Sequence, residues 1–224
     1  MDRIGNDRGG LRRLVGRLLL FVAALAGTTT FAPQLLAWPY SAEIGRTRVY
    51  SERPIPPEMR QVLARADALV AHSPLADPGL ERRLFLTDGG WRWNVLALTS
   101  RGAMALRRPF RDAIIVNRSD IAADRMENAP GGTRTLSSVI AHETTHVLVA
   151  RHLGEWRALM LPTWKSEGYA DHVSGGSSLS DADYARLRTA GRQNRAMFYY
   201  ESRRRVAETL AREGNDVDRL LTRD

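Results

Sequence analysis

A chain of 224 residues that is 43% hydrophobic has room for one globular domain with a packed core, once its first forty or so residues are set aside. It contains no cysteine, which excludes disulfide stapling and any thiolate metal site. The net charge of +8 raises nucleic acid as a partner, but five arginines and two aspartates in the first seventeen residues supply +3 of it. The remaining excess is scattered without interleaved aromatics, so no nucleic-acid partner is expected.

Residues 1–17 form a basic flank containing Arg3, Arg8, Arg12, Arg13 and Arg17, and residues 18–38 are a run of 21 without a charge. That length suffices for a membrane-spanning helix, and the basic flank predicts a cytoplasmic N-terminus. The expectation is a single-pass anchor in the cell membrane with the rest of the chain outside the cytoplasm. Ala24-Leu25-Ala26 keeps a second reading open, a cleaved signal peptide that releases a secreted or periplasmic protein.

Residues 39–57 read as a lead-in with a short strand at 47–50 and three prolines within 51–57, and the domain proper is expected over 58–224. Pro57 opens a helix whose apolar stripe is Met59, Val62, Leu63, Ala66, Leu69 and Val70, stopped by Ser73-Pro74. Strands are expected at 83–87, 113–117 and 103–106, with Asp88-Gly89-Gly90 as a turn. Trp91 and Trp93 flank that turn, either packing or lining a cleft.

His142-Glu143-Thr144-Thr145-His146 lies within a helical pattern marked by Leu136, Val139, Ile140, Val147 and Leu148, after Gly131-Gly132 and before Gly154. Residues four apart share a helix face, so His142 and His146 can converge on one zinc ion. Glu143 can reach a metal-bound water without ligating the metal, and zinc brings that water's pKa towards neutrality. Two residues compete to be the third ligand. His152 completes a His-Glu-x-x-His-x5-His spacing that resembles the metzincins. Where that family's pattern has a helix-breaking Gly this chain has Val149, so the helix is expected to carry His152 past the metal. Glu167 lies on a second short helix with Thr163 as N-cap and Gly175-Gly176 as stop. Asp171 shares its face, so one carboxylate can bind zinc while the other accepts a ligand histidine's N–H. Gly168 is expected to let this helix approach the His142 helix closely. Further helices are expected from Ser180 to about Ala190 and over 192–212, ended by Gly214.

These two motifs resemble the gluzincins, the thermolysin-like zinc peptidases, and especially their minimal single-domain members, whose second motif reads Trp-x-x-Glu-Gly-x-Ala. Trp164, Glu167, Gly168 and Ala170 stand in that register. The resemblance implies an α+β fold, a small twisted sheet ahead of the catalytic helix, with its edge strand holding an extended peptide. It implies His142, His146 and Glu167 as zinc ligands, Glu143 as general base and Asp171 as hydrogen-bond partner of a ligand histidine. It also suggests Tyr199 as donor to the developing oxyanion, against the alternative that Tyr199 and Tyr200 only pack. The function so implied is an exported zinc peptidase acting on peptides or proteins and held to the membrane by its N-terminal segment. The rival is a zinc-binding envelope protein that keeps the fold without the activity.

Overall fold

The computed structural model describes residues 7–127, 132–176 and 179–223; Arg3 of the basic flank and Gly131 lie outside them. The chain begins with α1 (Asp7–Phe31) and a 3-10 turn (Pro33–Leu36). They are separated at Ala32, which has φ −140° and ψ 54°. Pro33 has no N–H to give to a continuing helix and disfavours helical backbone in the residue before it. The uncharged run is therefore not one helix over 18–38, and among the described residues no helix is long and apolar enough to cross a membrane. The end of the run packs on the domain instead. The Trp38 and Phe85 rings lie 5.3 Å apart, and Arg92 donates to the carbonyls of Leu36 and Ala37.

A hairpin follows, β1 (Tyr40–Ile44) and β2 (Thr47–Ser51), turning through Gly45 at φ 58°. These residues belong to the sheet rather than to a lead-in, and Val49 is fully buried. Next come α2 (Met59–Val70), β3 (Arg82–Leu86), α3 (Trp91–Ala97), β4 (Ala105–Arg107) and β5 (Ala113–Val116). Strands β6 (Ser119–Asp120), β7 (Arg125–Glu127) and β8 (Thr133–Arg134) make a small antiparallel sheet of their own. The helices α4 (Leu136–Leu153), α5 (Glu155–Met160), α6 (Thr163–Val173), α7 (Asp181–Thr189), α8 (Arg195–Arg212) and α9 (Val217–Thr222) complete an α+β fold.

The main sheet has the order β1-β2-β3-β5-β4. β2, β3 and β5 run parallel, while β1 and the edge strand β4 pair antiparallel to their neighbours. β3 and β5 are apolar at successive positions because both faces of the sheet are covered. Leu84, Leu86, Ile114 and Val116 pack with α2 and α4, whereas Phe85, Ala113 and Ile115 pack with α3. A third cluster joins Val149 and Ala150 of α4 to Tyr169 of α6, Val206 and Leu210 of α8, and Leu220 and Leu221 of α9. Full burial of each large side chain contributes roughly 1.5–3 kcal/mol, so these clusters hold the domain without covalent cross-links. Helix α4 lies between sheet and helices and is buried nearly all round, which holds its polar motif in a fixed frame.

Candidate metal centre

Thr135 starts α4 by accepting the N–H of Ser138 at 3.2 Å, and Gly154 at φ 84° follows its last residue. Between them the helix is unbroken through Val149, so His152 is carried on to meet Asp218 of α9. Further back along α4, His142 and His146 fall one turn apart, their rings 4.8 Å between centroids and tilted by 79°. The second helix brings Glu167 to them: its carboxylate lies 3.3 Å from His142 Nε2 and 3.7 Å from His146 Nε2, and the two Nε2 atoms are 3.1 Å apart. Ligands about 2.0–2.1 Å from a tetrahedral zinc stand roughly 3.3 Å from one another, so these spacings suit a shared ion. Among the described residues this is the group of histidines and carboxylates whose ligand atoms converge, and it could hold a metal ion.

The other ring nitrogens test the fit. His142 Nδ1 lies 2.8 Å from Asp171 Oδ1, and His146 Nδ1 is 3.3 Å from Ser166 Oγ. Each ring is thus tied at Nδ1, which leaves both Nε2 atoms directed at the carboxylate of Glu167. Burial alone would depress the His142 pKa, but hydrogen bonds to Asp171 and Glu167 outweigh it and raise the value to about 10. Burial would lift Glu167 and Asp171, and their hydrogen bonds to His142 hold both carboxyls below the usual range instead.

Arg134 was not legible as a site residue. From β8 it donates to Asp171 Oδ1 at 3.0 Å, to Ser138 Oγ at 3.3 Å and to Ser174 Oγ at 3.1 Å, its side chain only 13% exposed. It thereby ties the start of α4 to the end of α6 and fixes the carboxylate behind His142. A Cβ on Gly176 would lie 2.4 Å from Arg134 Nη2 and 2.5 Å from Ser138 Oγ, so the glycine leaves room for this network. Arg82, also buried, donates to Thr47 and Thr144 and pairs with Asp67, anchoring α4 to the sheet one residue after Glu143.

No protein-family model and no curated protein matches the chain.

The remaining expected site residues fall in different places. Glu143 is 8% exposed, and its carboxylate makes no hydrogen bond or ion pair among the described residues. Thr163 is the first residue of α6 rather than its cap; Pro162 precedes the helix and no side chain caps it. Gly168 does permit a close approach, but to α8 and not to α4: a Cβ there would lie 2.6 Å from the Ser202 carbonyl oxygen and 2.9 Å from Val206 Cγ2. The Arg205 guanidinium lies 3.6 Å from the Trp164 ring centre, so α6 and α8 run antiparallel. One turn before Ser202 on α8, Tyr199 thus lies across from the turn that carries Glu167 and Asp171. Burial and the charge on Glu167 push its phenol pKa up. Tyr200, on another face, donates to Asp181. Trp93 is buried and donates to the Arg101 carbonyl, a packing role, while Trp91 is exposed beside Arg92.

Proposed function

We propose that this chain is a zinc-dependent peptidase of gluzincin type, delivered by its N-terminal segment to work on peptides or proteins outside the cytoplasmic membrane. The observation that carries the reading is the convergence of His142 Nε2, His146 Nε2 and Glu167 on one point, with both Nδ1 atoms already held by oxygens. Zinc bound there would supply a Lewis acid that polarises a peptide carbonyl and acidifies water. Glu143, beside the first ligand and without a hydrogen bond or ion pair among the described residues, would take the water's proton and pass it to the departing amine. Asp171, backed by Arg134, would keep the His142 ring oriented. A purely structural metal site has no use for such a carboxylate at Glu143, which favours the enzyme over a binding module.

The sheet supports a peptide substrate. β4 is an edge strand packed beside α4, so its outer backbone groups can pair with an extended chain, the strand addition that many peptide-binding proteins use. Basic residues ahead of the apolar run support membrane targeting, with the mature chain either anchored or released.

Metal analysis combined with a peptide-library digest tests the function. Wild type is expected to bind zinc and cut, and Glu143→Gln to keep its zinc while losing about 10²–10⁴-fold or more in rate. Activity in Glu143→Gln within a few-fold of wild type removes Glu143 as the base. A zinc-loaded wild type that cuts no peptide refutes the peptidase.

A further inference from the structure

The hydroxyl of Tyr199 has an unusual set of neighbours. Arg195, one turn earlier on α8, donates to that single oxygen from both Nε at 3.0 Å and Nη2 at 2.6 Å, with its guanidinium 5.2 Å from the Tyr199 ring centre. A phenol oxygen has two acceptor positions and one proton. Both acceptor positions are taken by Arg195, and the proton has no acceptor among the described residues. The hydroxyl can therefore act only as a donor, directed away from the guanidinium.

Helix packing sets what lies on that side. The antiparallel contact of α6 with α8, fixed by Trp164 against Arg205 and Gly168 against Ser202, puts Tyr199 opposite the Glu167 and Asp171 turn. We propose that Arg195 is a positioning residue that holds the Tyr199 hydroxyl as a polarised hydrogen-bond donor facing the His142, His146 and Glu167 centre. The proposal rests on the peptidase reading for its use in a reaction, but the coupling between the two side chains does not. The guanidinium charge lowers the cost of placing negative charge on the phenol oxygen, which makes its O–H a stronger donor to an oxyanion. A tyrosine that merely packed would have no need of a bidentate cation on its oxygen.

The charged groups facing the Tyr199 hydroxyl are Glu167, Asp171 and Arg195; the two carboxylates raise its pKa and Arg195 lowers it. Two measurements on the full chain test the coupling. In the first, tyrosine labelled at Cζ with ¹³C is titrated by NMR, the Tyr199 signal being the one lost in Tyr199→Phe. Its pKa is expected to rise in Arg195→Met and to take an intermediate value in Arg195→Lys. An unchanged pKa in both variants overturns the proposal. Arg195 is exposed at the start of α8, so its truncation leaves the core intact. In the second, kcat is expected to fall about tenfold in Arg195→Met with KM nearly unchanged, and Arg195→Lys to recover part of it. The same Arg195→Met change made on Tyr199→Phe is expected to cost less than about twofold, because its effect passes through the missing hydroxyl. Equal losses in both backgrounds refute a role through Tyr199. A wild type without hydrolysis defeats the peptidase reading, and the NMR titration then decides the Arg195 coupling by itself.

Discussion

Helix α4 carries two histidine–aspartate pairs, and they differ in almost everything but their chemistry. His142 meets Asp171 in the interior, where the Asp171 side chain is 3% exposed and Glu167, His146 and Arg134 close around the pair. His152 meets Asp218 at the surface, with side chains 36% and 69% exposed. Water screens the second pair far more than the first, so the same hydrogen bond has very different consequences. In the interior it joins a set of groups that can accept one cation between them. At the surface it joins the start of α9 to the last turn of α4.

The sharpest way to break this contrast is to remove the carboxylate that sets the two pairs apart. Glu167→Ala deletes one of three converging ligands and is expected to weaken zinc binding by more than the ten- to hundredfold that loss of a ligand's hydrogen-bond partner costs. His152→Ala is expected to leave zinc stoichiometry at the wild-type value. Metal content after dialysis, measured on both variants, checks the pair. A metal-free His152→Ala beside a loaded Glu167→Ala would reverse the assignment.

Asp171→Asn is the next step down. It keeps the shape and removes the charge behind His142, so zinc affinity is expected to drop by about ten- to a hundredfold. Competition with a chelator of known affinity measures it, and a change below threefold would mean that Asp171 has no hold on the ligand.

The metal-free protein adds a pH dependence with a definite sign. The folded His142 value of about 10 lies above the unfolded 6.5, so the protonated ring contributes stability that is complete below pH 6.5 and is lost as pH rises through about 10. Melting temperature in the presence of chelator is expected to fall across that window, and the fall to be shallower in Asp171→Asn. Parallel slopes in the two proteins would show that the buried pair is not responsible.

What the sequence disclosed follows the range of each interaction. The His142 and His146 pair was legible because helical spacing is a local property, and Val149 was enough to see that α4 would carry His152 onward. Glu167, on a separate helix, was legible as a ligand only through the resemblance of its Trp-x-x-Glu-Gly-x-Ala motif. The strands near 83, 103 and 113 were legible from short apolar runs. Arg134 gave no signal: it sits on a two-residue strand, and its meaning depends on Asp171, 37 positions away. The β1 strand was hidden because its side chains are mostly exposed and it directly follows the uncharged run. The six-residue helix α9 is too short to show a period. Gly168 was read correctly as a point of close approach, but a glycine does not reveal which neighbour comes close, and here it is α8.

The smallest effect belongs to the surface pair. Asp218→Asn removes the charge facing His152 and keeps the side-chain volume. Exposed ion pairs contribute about 0–1 kcal/mol, so the loss of stability is expected to stay below about 1 kcal/mol. Helix α9 has other attachments that keep it in place: Val217, Leu220 and Leu221 are buried against α8 and its neighbours, and Lys165 donates to the Arg223 carbonyl just beyond the helix. Urea unfolding of the zinc-loaded protein, read with metal content, measures both consequences at once. A loss well above 2 kcal/mol would make the His152 and Asp218 contact a structural clamp, not a screened surface pair. Concurrent loss of zinc would mean that the two ends of α4 are energetically coupled. With neither observed, the difference between the two pairs lies where the structure places it, in the burial and the company of His142.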